Sequence, residues 1–545
     1  MLFKTKKPNS YNLLNRTTSA LLFLIIFSNA SAQSKFWVTF CDKANVAFDP
    51  LSYFDNRTIV QRKEHNISII DSSDFPINHS YFSQISDNVT SVSFSSRWLN
   101  GVAVFATKDE IEKITNFSFV KSTEPMMSQL FPLSKSKKTT PDYSSSDIAL
   151  LRFQTQRMQG DTFISHNLNG KGLRIAVFDV GFPGVDKHPA FAHLREEKKI
   201  IATYDFVTQS ENVYKGHWHG TAALSCIGGK YDSINIGLAT SSEFLLARTE
   251  RILSERYSEE ENWVAAAEWA DRHGVNIISS SLGYTSRRYF NNQMDGHTSL
   301  VSRAANIAAS KGILVINAAG NEGNNAWNFI VAPADADSVL TVGGTDPKSD
   351  MHIYFSSFGP TSDGRLKPNV CAVGEAMVAR SKGLAVELGT SFSTPLVAGF
   401  AACAWQSHPQ WSNMDLFNAI EKASHLYPYF DFAHGFGIPQ AGRIIAEQKQ
   451  IEPTFDFVII NNNIKIILRE KYSYSQEEAA LGYDGKRNFY YKVEDKNGVM
   501  KKYFIMLADR KEMLFFLAED FIIGDVLTVH FEGYTSTLDF SQEHK

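Results

Sequence analysis

Between residues 147 and 450 the chain repeatedly runs through short apolar segments with no alternation. Residues 173–178, 244–247, 275–278, 313–318 and 339–342 read as strands, with helical stretches at 262–272, 300–310 and 393–405 among and after them. A strand that is apolar on both faces must be covered on both faces. The pattern therefore predicts an α/β fold, a parallel sheet sandwiched by helices. Hydrophobic residues make up 43% and charged residues 21%, with a net charge of −4. That balance suits a globular protein and gives no reason to expect nucleic-acid or membrane-surface binding.

The flanks read differently. Lys4, Lys6, Lys7 and Arg16 precede an apolar run from Ala20 to Phe27, and Ala30-Ser31-Ala32 follows as a small-x-small site. Residues 1–32 are predicted to be a signal peptide, which implies export to the periplasm, the cell surface or the medium. The run is short for a bilayer span, though a retained anchor is the alternative, and no later segment has the ~18 apolar residues that a transmembrane helix needs. Residues 33–127 mix strands at 35–40, 96–105 and 117–120 with a helix at 108–114, a small α+β domain. The polar stretch KSKKTTPDYSSS marks 128–146 as a linker open to cleavage. From 451 to 545, apolar runs at 457–460, 488–493 and 526–531 alternate with Asn-Gly and Asp-Gly turns, predicting an all-β sandwich. Cys41, Cys226, Cys371 and Cys403 form no C-x-x-C pair, and Cys226 and Cys403 read as buried free thiols.

Four local strings carry chemistry. Gly389-Thr-Ser-Phe-Ser-Thr-Pro395 stands before an apolar helix, which would hold the Ser391 hydroxyl at a positive helix end. Pro395 fits the first turn of that helix. Gly216-His-Trp-His219-Gly-Thr offers His219 as a general base. Asp179 ends the strand LRIAVFD, where it can orient an imidazole. Asn321, in Ala-Ala-Gly-Asn-Glu-Gly, follows another strand and can donate its amide to an oxyanion. Alone, each has a plain structural reading: helix cap, isolated histidine, strand-end turn, loop.

Together, in the order Asp…His…Asn…Ser, these strings resemble the subtilisin-like serine proteases over roughly residues 160–445. The resemblance implies a Ser/His/Asp endopeptidase working through an acyl-enzyme on protein or peptide substrates, with Asn321 in the oxyanion hole and no cofactor required for the chemistry. It also implies that Ser280, Ser281, Leu282 and Gly283 match the strand that pairs with substrate backbone. Ala318, Ala319 and Gly320 match a wall of the pocket for the residue before the scissile bond, with Glu322 at its rim. Small residues there are expected to leave an open pocket and a broad, apolar-leaning specificity. Many relatives bind calcium structurally, yet no site can be assigned in this chain. Residues 33–127, with SRWLNGVAV, resemble the inhibitory propeptides of Bacteroidetes subtilases. That implies a self-processing zymogen whose propeptide is its own intramolecular inhibitor. The C-terminal module resembles extensions of secreted Bacteroidetes proteases but lacks their Pro-Asn-Pro opening, so its role stays open.

Two other readings are weaker. An α/β-hydrolase esterase needs Gly-x-Ser-x-Gly and the order Ser…Asp…His, but here Ser393 stands at the second glycine and the order is reversed. A degenerate subtilase serving as a binding module would not need intact residues at all four positions.

Overall fold

The computed structural model of the chain describes residues 33–126, 145–251, 257–285, 288–446, 451–460, 463–469, 487–508, 513–517 and 520–540. The predicted signal segment and the 128–144 part of the linker lie outside the described residues. The N-terminal unit contains β1 (Ser34–Phe40), α1 (Asn56–Glu64), α2 (His79–Ser86), β2 (Ser91–Ser96), β3 (Gly101–Ala106), α3 (Lys108–Thr115) and β4 (Val120–Met126). Its strands form one antiparallel sheet in the order β2-β3-β1-β4. The 96–105 run, read as one strand, is a hairpin turn plus β3, with Asn100 at a φ of 45°. The strand expected at 117–120 starts only at Val120. Before it, Phe117 N–H and Val120 N–H close turns onto Ile114 and Phe117, finishing α3.

The central domain runs through α4 (Ser145–Gln156), β5 (Arg174–Asp179), β6 (Ile200–Asp205), α5 (His219–Gly228), β7 (Glu243–Arg248), α6 (Tyr257–Arg272), β8 (Ile277–Ser280), α7 (Leu300–Ser310), β9 (Leu314–Ala318), β10 (Val339–Thr345) and β11 (Val370–Val373). An antiparallel hairpin, β12 (Glu375–Ala379) with β13 (Leu384–Leu388), leads into α8 (Thr390–Ser407) and then α9 (Asn413–Ala423). Helix α4 thus begins inside the predicted 128–146 linker. The sheet is parallel throughout, in the order β11-β10-β9-β8-β5-β7-β6. Each strand feeds two cores by alternation. Ile175 and Val177 of β5 pack with α5 and α8, whereas Ala176 and Phe178 pack with α6 and α7.

The N-terminal unit docks on α6 and α7. Trp37, Trp98 and Ala103 join the core that contains Trp263, so apolar packing runs across the junction without a break. Fully burying a large apolar side chain is worth roughly 1.5–3 kcal/mol. Ion pairs frame this core: Arg62 bridges Asp74 at 2.6 Å and Asp271 at 2.8 Å, while Lys311 reaches Asp74 at 3.0 Å. Glu268 of α6 accepts from Ser96 Oγ at 2.5 Å and Trp98 N–H at 3.1 Å, and burial pushes its carboxyl up to about 7.

The C-terminal module contains β14 (Phe455–Ile460), β15 (Asn463–Leu468), β16 (Arg487–Glu494), β17 (Met500–Ala508), β18 (Met513–Leu517), β19 (Val526–Phe531) and β20 (Tyr534–Asp539). Sheets β14-β15-β18 and β17-β16-β19-β20 enclose a core with Phe455, Ile466, Phe489 and Val529. Tyr490 packs with Leu426 and Tyr429 to seat the module on the central domain. All four cysteines are free thiols; Cys226, Cys371 and Cys403 are buried and Cys41 is exposed. No helix among the described residues is long and apolar enough to cross a membrane.

Candidate active site

Asp179 closes β5 at the carboxyl end of the sheet and is fully buried. One carboxylate oxygen accepts the Val180 N–H at 2.7 Å. His219 Nδ1 lies 2.9 and 3.0 Å from the two oxygens. The glycine after His219 makes this approach possible: a Cβ on Gly220 would fall 2.4 Å from the Gly181 carbonyl oxygen and 2.9 Å from Asp179 Cβ. Thus the His-Gly pair of the sequence lets α5 start directly against the strand that carries the aspartate. Burial opposes charge on His219, but the negative charges of Asp179 and, more weakly, Glu387 outweigh that cost and raise its pKa above the ordinary value. Next to it, burial and the His219 charge push His217 down to about 4.

The serine arrives from α8, and the neighbouring Phe392 ring lies 5.5 Å from the His219 ring. Helix α8 starts at Thr390, so Ser391 is inside its first turn and Pro395 is one turn further in than expected. A proline there offers no N–H to the carbonyl four residues back, which is that of Ser391. The Ser281 hydroxyl takes its place, donating to the Ser391 carbonyl at 2.8 Å. Asn321 is exposed at the mouth, and its Oδ1 accepts from Thr390 N–H at 2.9 Å and Thr390 Oγ at 3.0 Å. Because the backbone N–H can only donate, the oxygen must face Thr390. The amide nitrogen is then turned toward Gly389, 3.7 Å from where a Cβ on that glycine would stand. Asp179, His219, Asn321 and Ser391 are thereby gathered at one end of the sheet.

The residues expected to bind substrate extend β8 and β9. The Leu282 carbonyl accepts from Asn317 at 3.0 Å, and Tyr284 exchanges two hydrogen bonds with Ala332, at 3.0 and 3.2 Å. Ala318 and Ala319 are buried, and Glu322 stands beyond Asn321 with its N–H bound to Ser357 Oγ at 3.1 Å. One residue unnoticed in the sequence comes between the two walls. A Cβ on Gly283 would meet a Val331 methyl at 2.3 Å, and one on Gly320 would meet its other methyl at 2.7 Å. The expected openness of this pocket rested on its wall residues alone. A second unforeseen group is Glu387 on β13, paired with Arg380 at 3.0 Å, whose guanidinium lies 3.9 Å above the Trp218 ring. No local signal marks either residue.

Comparison with known proteins bears on the two N-terminal units of the chain. Residues 170–437 match the subtilase family (peptidase S8), and residues 35–142 match the peptidase S8 propeptide domain of Bacteroidota. M-protease of Shouchella clausii (strain KSM-K16) is 28% identical over 272 residues, which cover 49% of this chain and 63% of that protein. Subtilisin Savinase of Lederbergia lenta is 28% identical over 49% of this chain and 89% of its own length. Serine protease AprX of Bacillus subtilis (strain 168) is 30% identical over 44% and 59%. The match thus spans less than two thirds of several of these relatives. Among solved structures, MycP1 with its N-terminal propeptide removed aligns with a TM-score of 0.45 at 22% identity, covering 55% of this chain and 99% of that one. The chain thus carries a subtilase (peptidase S8) domain with a Bacteroidota-type peptidase S8 propeptide domain ahead of it.

Proposed function

We propose that the protein is an exported serine endopeptidase, made as a zymogen that processes itself. The observation that carries this reading is the buried Asp179 bound to a partly open His219, beside the first turn of α8 that carries Ser391 and to which the Asn321 side chain is tied. In the reaction, Ser391 Oγ attacks the peptide carbonyl carbon while its proton passes to His219 Nε2. Asp179, bound to Nδ1, fixes the ring and stabilises its charged form. The Asn321 amide, with a main-chain N–H near Ser391, receives the oxyanion. His219 then gives the proton to the leaving amine, the C–N bond breaks, and an acyl-enzyme remains. Water attacks it by the same route in reverse, releasing the acid and restoring Ser391.

The docked N-terminal unit supports the zymogen reading, since its sheet shares a core with α6 and leaves the central domain through β4 toward the linker. The test is labelling with a fluorophosphonate probe of wild type and Ser391→Ala, each expressed without residues 1–32. Wild type is expected to label and to shorten by about the N-terminal unit, and Ser391→Ala to remain full length and unlabelled. Asn321→Ala should lower kcat by about 10²–10³-fold, a magnitude taken from subtilisin itself. Folded wild type that neither labels nor shortens would instead favour the binding-module reading.

A further inference from the structure

The C-terminal module meets the central domain across a seam of imidazole and phenol rings. Tyr490 of β16 stands 6.4 Å from the His425 ring, 5.7 Å from His434 and 6.2 Å from His530. Tyr429 stands 5.8 Å from Tyr490 and 6.0 Å from His530. His530 comes from β19 of the module, whereas His425 and His434 belong to the central domain. Tyr429, Tyr490, His434 and His530 are buried. None of these rings takes part in the reaction proposed above.

The hydrogen bonds require His425 to be neutral. Its Nδ1 accepts the Ile438 N–H at 2.8 Å, and an amide can only donate. A proton on Nδ1 would set two donors face to face. The ring has no room to turn aside, since a Cβ on Gly437 would fall 2.6 Å from its Cε1 and Nδ1. Across the seam, His530 Nδ1 lies 2.7 Å from Thr535 Oγ, and the ring reaches the main chain of His425.

Among the described residues, the carboxylates near these two rings are already engaged. Asp431 is bound to His434, and Asp350 to Arg157 at 2.7 Å. The Arg443 guanidinium acts on both rings and donates to the carbonyls of Ser424, at 2.6 Å, and His425, at 3.5 Å. Lys492 lies 6.0 Å from the Tyr429 ring and is paired with Glu494 at 2.8 Å. His352 donates from Nε2 to the Ser356 carbonyl inside the central domain. Burial, reinforced by Arg157, Arg443 and the neighbouring imidazoles, holds His425 well below the ordinary imidazole value. Burial with Arg443 takes His530 down to about 3. A ring so lowered when docked takes up a proton on release. Docking is therefore fully favoured above about pH 6.5 and weakens as the pH falls below it.

We propose that this seam is a pH-sensitive latch, with His425 and His530 as its sensors, which holds the C-terminal module on the central domain while both rings are neutral and lets go of it when mild acid protonates them. The His425 carbonyl and ring both touch the module side, so charge at that ring is felt directly where the module sits.

The experiment is hydroxyl-radical footprinting, read by mass spectrometry, from about pH 7.5 to about pH 5. It uses the Ser391→Ala chain without residues 1–32, which keeps the protein whole. Over that range each imidazole that regains its ordinary value on release should raise the opening equilibrium by about thirtyfold. Oxidation of Tyr429 and Tyr490 should therefore climb on acidification, while Trp263, buried in a separate core, stays protected. His425→Asn keeps an acceptor for the Ile438 amide but takes no charge, and His530→Gln is likewise a neutral polar stand-in. Each should remove about thirtyfold of the rise in opening. Where His425→Asn already opens at neutral pH, His530→Gln carries the test. Tyrosines that stay protected at the acid end overturn the proposal. So do variants that open with acid as readily as their parent. Trp263 oxidising in step with the tyrosines also overturns it, because that marks unfolding of the whole domain.

Discussion

The central domain holds two aspartate–histidine pairs of nearly the same local geometry and very different surroundings. In one, Asp179 lies 2.9 and 3.0 Å from His219 Nδ1; in the other, Asp431 lies 3.0 and 3.2 Å from His434 Nδ1. Both carboxylates are fully buried, and in both pairs a glycine follows the histidine. The difference is access. The His219 side chain keeps 23% of its surface open, beside the serine helix, while that of His434 keeps 1%. Among the described residues His434 Nε2 has no hydrogen-bond partner, and the His352 and Tyr490 rings stand 6.0 and 5.7 Å away. An aspartate that fixes a tautomer is thus a common structural device. It becomes chemistry only where the far nitrogen meets a nucleophile and a substrate.

The contrast can be broken most forcefully at the carboxylates. Asp179→Asn should lower kcat by about 10⁴-fold, with little change in thermal unfolding, because the ring loses its tautomer and its counter-charge. Asp431→Asn should do the reverse. It removes charge-assisted bonds at His434 and at the Ala433 and His434 amides, worth about 2–3 kcal/mol in total, and should lower Tm while labelling at low temperature is unchanged. A large loss of kcat in fully folded Asp431→Asn would end the distinction.

Two smaller effects depend on pH. Burial opposes charge on Asp431, yet His434 and the two amides hold its pKa below the usual carboxylate value. Its stabilisation is therefore present above about pH 4 and lost as the pH falls through its lowered value. Acid-unfolding curves of Asp431→Asn should be flatter there than those of wild type. For His219 the shift is upward, so the basic form needed for attack is lost on acidification at a pH above the ordinary imidazole value. Glu387 contributes to that rise. Glu387→Gln should move the acid limb of kcat/KM to lower pH, and an unmoved or raised limb would show that Glu387 does not act on the ring.

What the sequence made legible follows the range of the interactions. Asp179, His219, Asn321 and Ser391 each sit in a string whose glycines and small residues exist to permit a close approach, so the string itself reports the site. Strands β5, β7, β8, β9 and β10 were readable because both their faces are apolar. Val331 was not readable, since its position between Gly283 and Gly320 is set by three segments meeting and leaves no mark on its own neighbours. Pro395 was misplaced for a related reason: the sequence shows that it lacks an N–H, but not that Ser281 fills the vacancy. Asp431 and His434, three residues apart, carry no local string that would single them out. Only the fold reveals that they copy the Asp179–His219 pairing in a closed place.

The continuous core between the N-terminal unit and α6 has a consequence for the timing of activity. While the linker is whole, the two partners are held at the high local concentration that covalent connection imposes. If the chain is cut there, as the proposed function requires, the same contacts obey mass action, and occupancy depends on how many molecules share the volume. A population maturing in a confined space would stay latent, and the same population released into a large volume would switch on by dilution alone. Latency in such a protein is as much a property of its concentration as of its sequence.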